Sequence, residues 1–91
     1  MLERTTLKNT TKVTFILPAD EPPTQVSVVG DFNGWQPGKH PLVEREDGMR
    51  AVQVAVPADS RVHFRYLAHG DYWFDEQDAD GHDGTNSYLH T

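Results

Sequence analysis

Residues 62–69 read Val-His-Phe-Arg-Tyr-Leu-Ala-His, in which Val62, Phe64, Tyr66 and Ala68 occupy every second position. A period of two puts alternate side chains on opposite faces of a strand, whereas an amphipathic helix repeats its apolar positions every three or four residues. We therefore expect a strand whose inward face carries the aromatic rings of Phe64 and Tyr66. Arg65, between them, is then expected to face solvent.

Shorter runs with the same alternation lie on both sides of this stretch, at residues 13–17, 26–28 and 49–56, with a further candidate strand at 86–90. Asp47-Gly48 is typical of a hairpin turn. Nine valines against six alanines and six leucines favour strands over helices. About seven short strands separated by turn residues predict an all-β sandwich, with a barrel as the alternative.

Composition restricts the possible functions. The 91 residues hold 8 Lys+Arg, 14 Asp+Glu and no cysteine, giving a formal net charge of −6. This length fits one domain, expected at residues 12–91 behind a flexible leader at 1–11. The acidic balance argues against nucleic acid as a partner, because phosphate binding needs a basic face. No apolar run approaches the ~18 residues of a membrane helix. The polar first residues lack the apolar stretch of a signal peptide, so a cytoplasmic protein is expected.

A more specific signal lies at residues 26–35, which read Val-Ser-Val-Val-Gly-Asp-Phe-Asn-Gly-Trp. Together with Phe-Arg-Tyr-Leu-Ala-His-Gly at 64–70, Trp73, and Gly-Thr-Asn-Ser at 84–87, this run resembles the early-set domains of the isoamylase N-terminal type. These are the family-48 carbohydrate-binding modules, found beside glycogen-branching and debranching enzymes and in the β subunit of AMP-activated kinase. The resemblance covers residues 12–90. It implies an immunoglobulin-like sandwich that binds α-1,4-glucans such as glycogen or starch. We expect no catalysis, cofactor or metal.

The motif itself is expected to be structural. Gly30 and Gly34 permit backbone angles that other residues resist, and Asn33 tolerates a left-handed turn. Phe32 and Trp35 are then expected to turn back into the core of the sandwich.

The candidate sugar site lies further along the chain. A glucose ring presents an apolar face and a rim of hydroxyls, so its binder needs an exposed aromatic ring with polar groups beside it. Trp73 is the expected platform, or Tyr72 if no residue is inserted relative to the family. The resemblance places Arg65 at the family's hydroxyl-binding lysine and Asn86 at its asparagine. His69, in the turn beside the platform, is a candidate rim contact.

Two departures from the family predict weak binding. Leu17 stands near the position of a first platform tryptophan, and residues 82–84 offer no apolar residue on the last loop. We therefore expect a Kd of about 1 mM, corresponding to about −4 kcal/mol. The alternative is an early-set sandwich with a decayed sugar site that serves as a protein-interaction or regulatory domain. Its partner would be a glycogen-metabolising enzyme or a regulatory protein.

The acidic residues of segment 75–84 suggest two further chemistries. Glu76, Asp78 and Asp80 have the spacing of the first ligands of a calcium loop, but Ser87 stands where a glutamate is required. Glycoside hydrolysis needs two carboxylates on opposite sides of a cleft, and here the acids crowd one loop. A solvated acidic loop and a non-enzymatic protein are therefore the predictions.

Overall fold

The computed structural model describes all 91 residues, as nine strands and one turn of 3-10 helix. The strands are β1 (Leu2–Thr6), β2 (Thr10–Pro18), β3 (Val26–Gly30), β4 (Val43–Glu44), β5 (Met49–Pro57), β6 (Arg61–Ala68), β7 (Tyr72–Phe74), β8 (Gly81–His82) and β9 (Ser87–His90), and the 3-10 turn is Asp31–Asn33.

The strands form two antiparallel sheets. One has the order β1-β2-β5-β4 and the other the order β3-β6-β9-β8, with β7 also paired to β6. This confirms the all-β sandwich and excludes the barrel, because no strand pairs across the two sheets. The hairpin at Asp47-Gly48 is also confirmed, since β4 and β5 pair on either side of it.

The core lies between the sheets and is filled from alternate positions of the strands. In β6 the side chains of Val62, Phe64, Tyr66 and Ala68 are buried, whereas the intervening ones are half-buried on the opposite face. The rings of Phe64 and Tyr66 meet Phe15 of β2 at centroid distances of 5.0 and 6.3 Å. The alternation that predicted this strand therefore has the predicted facing.

Strand β6 organises the second sheet because both of its edges are used. Along one edge it pairs with β3. The other edge is divided, since residues 61–64 pair with β9 and residues 66–68 pair with β7. Strands β3, β7 and β9 therefore meet on either side of one strand.

The flexible leader expected at residues 1–11 is not observed. Leu2–Thr6 forms β1 and pairs in register with residues 11–15 of β2. Only one of its five residues is apolar, so hydrophobic alternation could not reveal it. Arg4 fastens this strand to the other sheet by donating to both carboxylate oxygens of Asp80, each at 2.9 Å, and to the carbonyl of His90 at 2.8 Å.

The Arg4–Asp80 contact makes stability depend on pH. The hydrogen bonds from the Arg4 guanidinium lower the pKa of Asp80 to about 2. A carboxylate whose pKa falls on folding stabilises the protein above its unfolded pKa of about 4 and loses that contribution as the pH drops towards 2. We expect Asp80→Asn to lower the free energy of unfolding by about 1 kcal/mol at pH 7, after allowing for solvent screening. Urea unfolding at pH 7 and pH 2.5 should show the difference from wild type shrinking in acid, and a constant difference would contradict this.

The two glycines of the motif have different roles. Gly34 has φ 66°, in the left-handed region, as predicted. Gly30 does not fit the prediction, because its φ of −171° is extended backbone that any residue adopts. Glycine is needed at this position because there is no room for a side chain. A Cβ there would lie 2.5 Å from the carbonyl oxygen of His63 and 2.9 Å from Cβ of Phe64.

The left-handed turn expected at Asn33 lies instead at Gly34 and Trp35, and Trp35 has φ 59°. Asn33 belongs to the 3-10 turn and is buried, where its amide accepts from the N–H of Gly30 at 3.1 Å and donates to the carbonyl of Val28 at 3.0 Å. Phe32 packs against the core as predicted. The prediction for Trp35 is wrong, because its ring is half-buried and lies outside the core.

The helical content is one 3-10 turn of three residues, so no helix here could span a bilayer.

Candidate functional site

The candidate site lies on the outer face, which we define as the solvent-facing side of the sheet formed by β3 and β6–β9. Residues directly opposed on paired strands point to the same side of a sheet. Trp73 opposes Leu67 of β6, so its ring shares the outer face with Arg65. The Trp73 ring is 37% exposed, and Cζ of Arg65 lies 5.6 Å from its centre.

A tight turn delivers Trp73 to this face. Gly70 and Asp71 have φ values of 83° and 60°, the paired left-handed angles that reverse a hairpin without splaying its strands. Strand β7 therefore runs back along β6, and its middle residue faces outward.

The alternative platform, Tyr72, faces the other way. It opposes Ala68, a core residue, and stacks on Phe74 at a centroid distance of 5.6 Å. Although Tyr72 is 58% exposed, its ring lies at the rim of the inner face. The structure thus places Arg65 beside Trp73 and away from Tyr72.

Arg65 lies beside a carboxylate, and its terminal nitrogens have unused hydrogen-bond donors. Its Nε lies 3.5 Å from Oδ1 of Asp75. That Nε is buried without a hydrogen-bond partner, and the terminal nitrogens make no hydrogen bond within the protein. Asp75 is fixed in turn by the hydroxyl of Ser87 at 3.1 Å and by Nε2 of His82 at 3.0 Å. The guanidinium is therefore oriented but still able to donate to a ligand.

Asn86 lies immediately before Ser87, which opposes Phe64, the neighbour of Arg65. Its backbone N–H donates to Oδ1 of Asp83 at 2.7 Å, and its carbonyl accepts from the N–H of Asp83 at 3.0 Å. The N–H groups of Asn86 and Thr85 lower the pKa of Asp83. Asp83 thus caps this turn through backbone groups, and the side-chain amide of Asn86 makes no hydrogen bond within the protein.

His69 is exposed in the turn after β6. It lines a recess of about 200 Å³ together with Gln25, Ser27, Gly38, Pro41, Leu67 and Ala68. This recess adjoins the outer face through Leu67, the strand partner of Trp73. His69 makes no hydrogen bond within the protein, so its ring nitrogens are free.

The structure adds contacts to this face that sequence reasoning missed. Nδ1 of His63 lies 3.3 Å from Oδ2 of Asp31, and its Nε2 lies 3.5 Å from Oδ2 of Asp83. The period of two in β6 puts His63 on the same side as Arg65, but it indicates no partner for the imidazole. The two aspartates come from loops far away in the chain, so no local spacing could reveal them.

The sequence predicted a solvated acidic loop, and this prediction is wrong for one residue of the segment. Glu76 is buried, where it accepts from the Tyr66 hydroxyl at 2.6 Å and lies 3.0 Å from the α-amino group of Met1. Burial raises the pKa of Tyr66, and the neighbouring carboxylate raises it further. No group of three or more His, Cys, Asp or Glu side chains is placed to hold a metal ion. Leu17, which the sequence resemblance places near a first platform position, belongs to the core.

Comparison with known proteins gives partial matches. No family model matches the chain. A 1,4-alpha-glucan branching enzyme GlgB from Aquifex aeolicus is 38% identical over 55 residues, covering 58% of this chain and 9% of that protein. The branching enzyme GlgB 2 from Xanthomonas campestris pv. campestris strain 8004 is 56% identical over 50 residues, covering 42% of this chain and 7% of that protein. The chain thus spans less than a tenth of the length of these relatives, and it is similar to a short segment of glucan branching enzymes.

Proposed function

We propose that this chain is a non-catalytic module that binds α-1,4-glucans such as glycogen, starch or maltooligosaccharides. One observation carries the proposal: a half-exposed Trp73 stands beside Arg65 on a face where Arg65 and the nearby Asn86 both have unused hydrogen-bonding groups. The similarity to a segment of glucan branching enzymes supports the same ligand class. The small share of those enzymes that the chain covers supports a non-catalytic role.

In this proposal the apolar face of one glucose ring lies on the Trp73 indole. The Arg65 guanidinium donates to sugar hydroxyls at the rim, and the Asn86 amide both donates and accepts. Asp75 positions Arg65 and does not touch the sugar. With few direct hydrogen bonds at about 1 kcal/mol each, the Kd should be about 1 mM.

A second candidate function is a protein-interaction or regulatory domain whose sugar site has decayed. The buried Leu17 favours it, because the position of the first platform contributes to the core and offers no ring to a ligand. The partner would be a glycogen-metabolising enzyme or a regulatory protein. This candidate predicts no response to glucans.

Two further parts of the proposal rest on composition. The net charge of −6 does not suit a nucleic-acid partner. A chain without cysteine fits the reducing cytoplasm, the compartment that we propose for it.

Titration of isotope-labelled protein with maltoheptaose, followed by amide NMR shifts, distinguishes the two candidates. At about 10 mM sugar, well above the expected Kd, shifts should cluster at residues 63–75 and 84–88. Trp73→Ala should abolish them because it removes the platform. Tyr72→Ala is the matched control, since Tyr72 faces the opposite side and its loss should leave binding intact. An unchanged wild-type spectrum at 10 mM maltoheptaose would overturn the proposed function.

A further inference from the structure

Trp35 is held in a conformation that its packing does not explain. Its φ of 59° is a left-handed angle that costs a bulky residue free energy. The half-buried ring is not packed into the core and meets no other aromatic ring. Its one side-chain hydrogen bond is from indole Nε1 to Oδ1 of Asp31, at 3.1 Å. A strained backbone that presents a large ring at the surface indicates a role other than stability.

The contacts of Asp31 locate this ring relative to the outer face. The same carboxylate accepts from the backbone N–H of His63 at 2.9 Å through its other oxygen. Trp35 therefore stands near the His63 end of the outward row of β6, while Trp73 stands at the Leu67 end. Four strand residues separate these ends, a distance of about 13 Å.

Aspartates accompany the basic side chains between the two rings. His63 faces Asp31 and Asp83, and Arg65 and His82 face Asp75. A phosphate or polyanion would be repelled by these carboxylates. A neutral ligand rich in hydroxyls meets donors and acceptors without that penalty, so the strip suits a sugar chain.

We propose that Trp35 is a second aromatic contact for the glucan, so that Trp35 and Trp73 bound one extended strip along the outer face. The strip takes the place of the platform that is absent at Leu17, and its occupant is an α-glucan chain long enough to reach both rings. This inference rests on the proposed function and adds ligand length to it. A longer maltooligosaccharide gains from Trp35, whereas maltose, bound at Trp73 alone, does not.

The Trp35→Gly variant provides the test. Glycine adopts the left-handed angle without strain, and this gain offsets the contacts that are lost with the half-buried ring, so the melting temperature should stay within two or three degrees of the wild type. NMR titration should show that the affinity for maltoheptaose falls about three- to tenfold, which corresponds to the free-energy contribution of one aromatic contact. The affinity for maltose should be unchanged. Trp35→Phe, which keeps a ring, should retain most of the maltoheptaose affinity.

Each other outcome is decisive. A melting temperature lowered by several degrees in Trp35→Gly would show that the ring is structural and would overturn the inference. Unchanged maltoheptaose affinity in Trp35→Gly, while Trp73→Ala abolishes binding, would overturn the inference and leave the proposed function standing. Failure of the wild-type protein to bind maltoheptaose would overturn both.

Discussion

Replacing Gly30 with alanine should lower the free energy of unfolding by about 3 kcal/mol. The added Cβ would lie 2.5 Å from the carbonyl oxygen of His63 and 2.9 Å from Cβ of Phe64. Both atoms belong to β6, the central strand of the second sheet, so neither can move without disturbing the core. The backbone angle of Gly30 is extended and contributes nothing to this cost.

Gly34→Ala is the matched control from the same turn. Gly34 has φ 66°, and the nearest atom to an added Cβ is 4.0 Å away, so only the left-handed backbone is penalised, by about 1–2 kcal/mol. Urea denaturation of both variants gives the comparison, with equal m-values as the check that the folded states are alike. A Gly30→Ala variant no less stable than Gly34→Ala would contradict the close approach of β3 to β6.

Phe15→Ala should cost about 3–5 kcal/mol, the largest loss that we expect from a single substitution in this chain. Phe15 is 1% exposed, and its ring lies 5.7 Å from that of Phe32 and 5.0 Å from that of Phe64. It links the first sheet to the motif and to β6. Its removal leaves a cavity that the two sheets cannot close without shifting relative to each other.

Phe15→Leu separates the cavity from the loss of aromatic contacts. Leucine fills much of the volume, so the cost should be about 1–2 kcal/mol. Thermal unfolding by circular dichroism measures all three proteins. A Phe15→Ala variant that melts within two or three degrees of the wild type, roughly half a kcal/mol for a domain of this size, would contradict the assignment of this ring to the core.

The sequence predicted the parts of the fold in which a local pattern decides the outcome. The alternation in β6 fixed which of its side chains face the core, and the Asp-Gly pair located the β4–β5 hairpin. Strand β1 was missed because four of its five residues are exposed and its order comes from pairing with β2 and from Arg4. Pairing partners distant in sequence leave no periodic signal.

The candidate site was likewise predicted only where a local pattern decides the placement of a side chain. The facing of Arg65 follows from β6 itself and was predicted, whereas the placement of Trp73 on its side depended on the turn at residues 69–71. The partial exposure of Trp35 and the burial of Glu76 were not predicted. Trp35 has a left-handed angle in addition to that of Gly34, and the buried Glu76 accepts a hydrogen bond from Tyr66 of β6, which is ten residues away in the sequence.

The second edge of β6 is shared by two short strands, and β7, which carries Trp73, is the shorter of them. Strand β7 has three residues, and its only strand partner is β6, so few hydrogen bonds must break to release it. We expect the amides of β7 to exchange with solvent through local opening, while that of Arg65, between β3 and the β7–β9 edge, exchanges only on global unfolding. The Trp73 ring is thus attached to a short segment of the sheet that is held by few hydrogen bonds. Under the proposed function, the indole would adjust its angle to the sugar chain while the backbone of Arg65 stays in place.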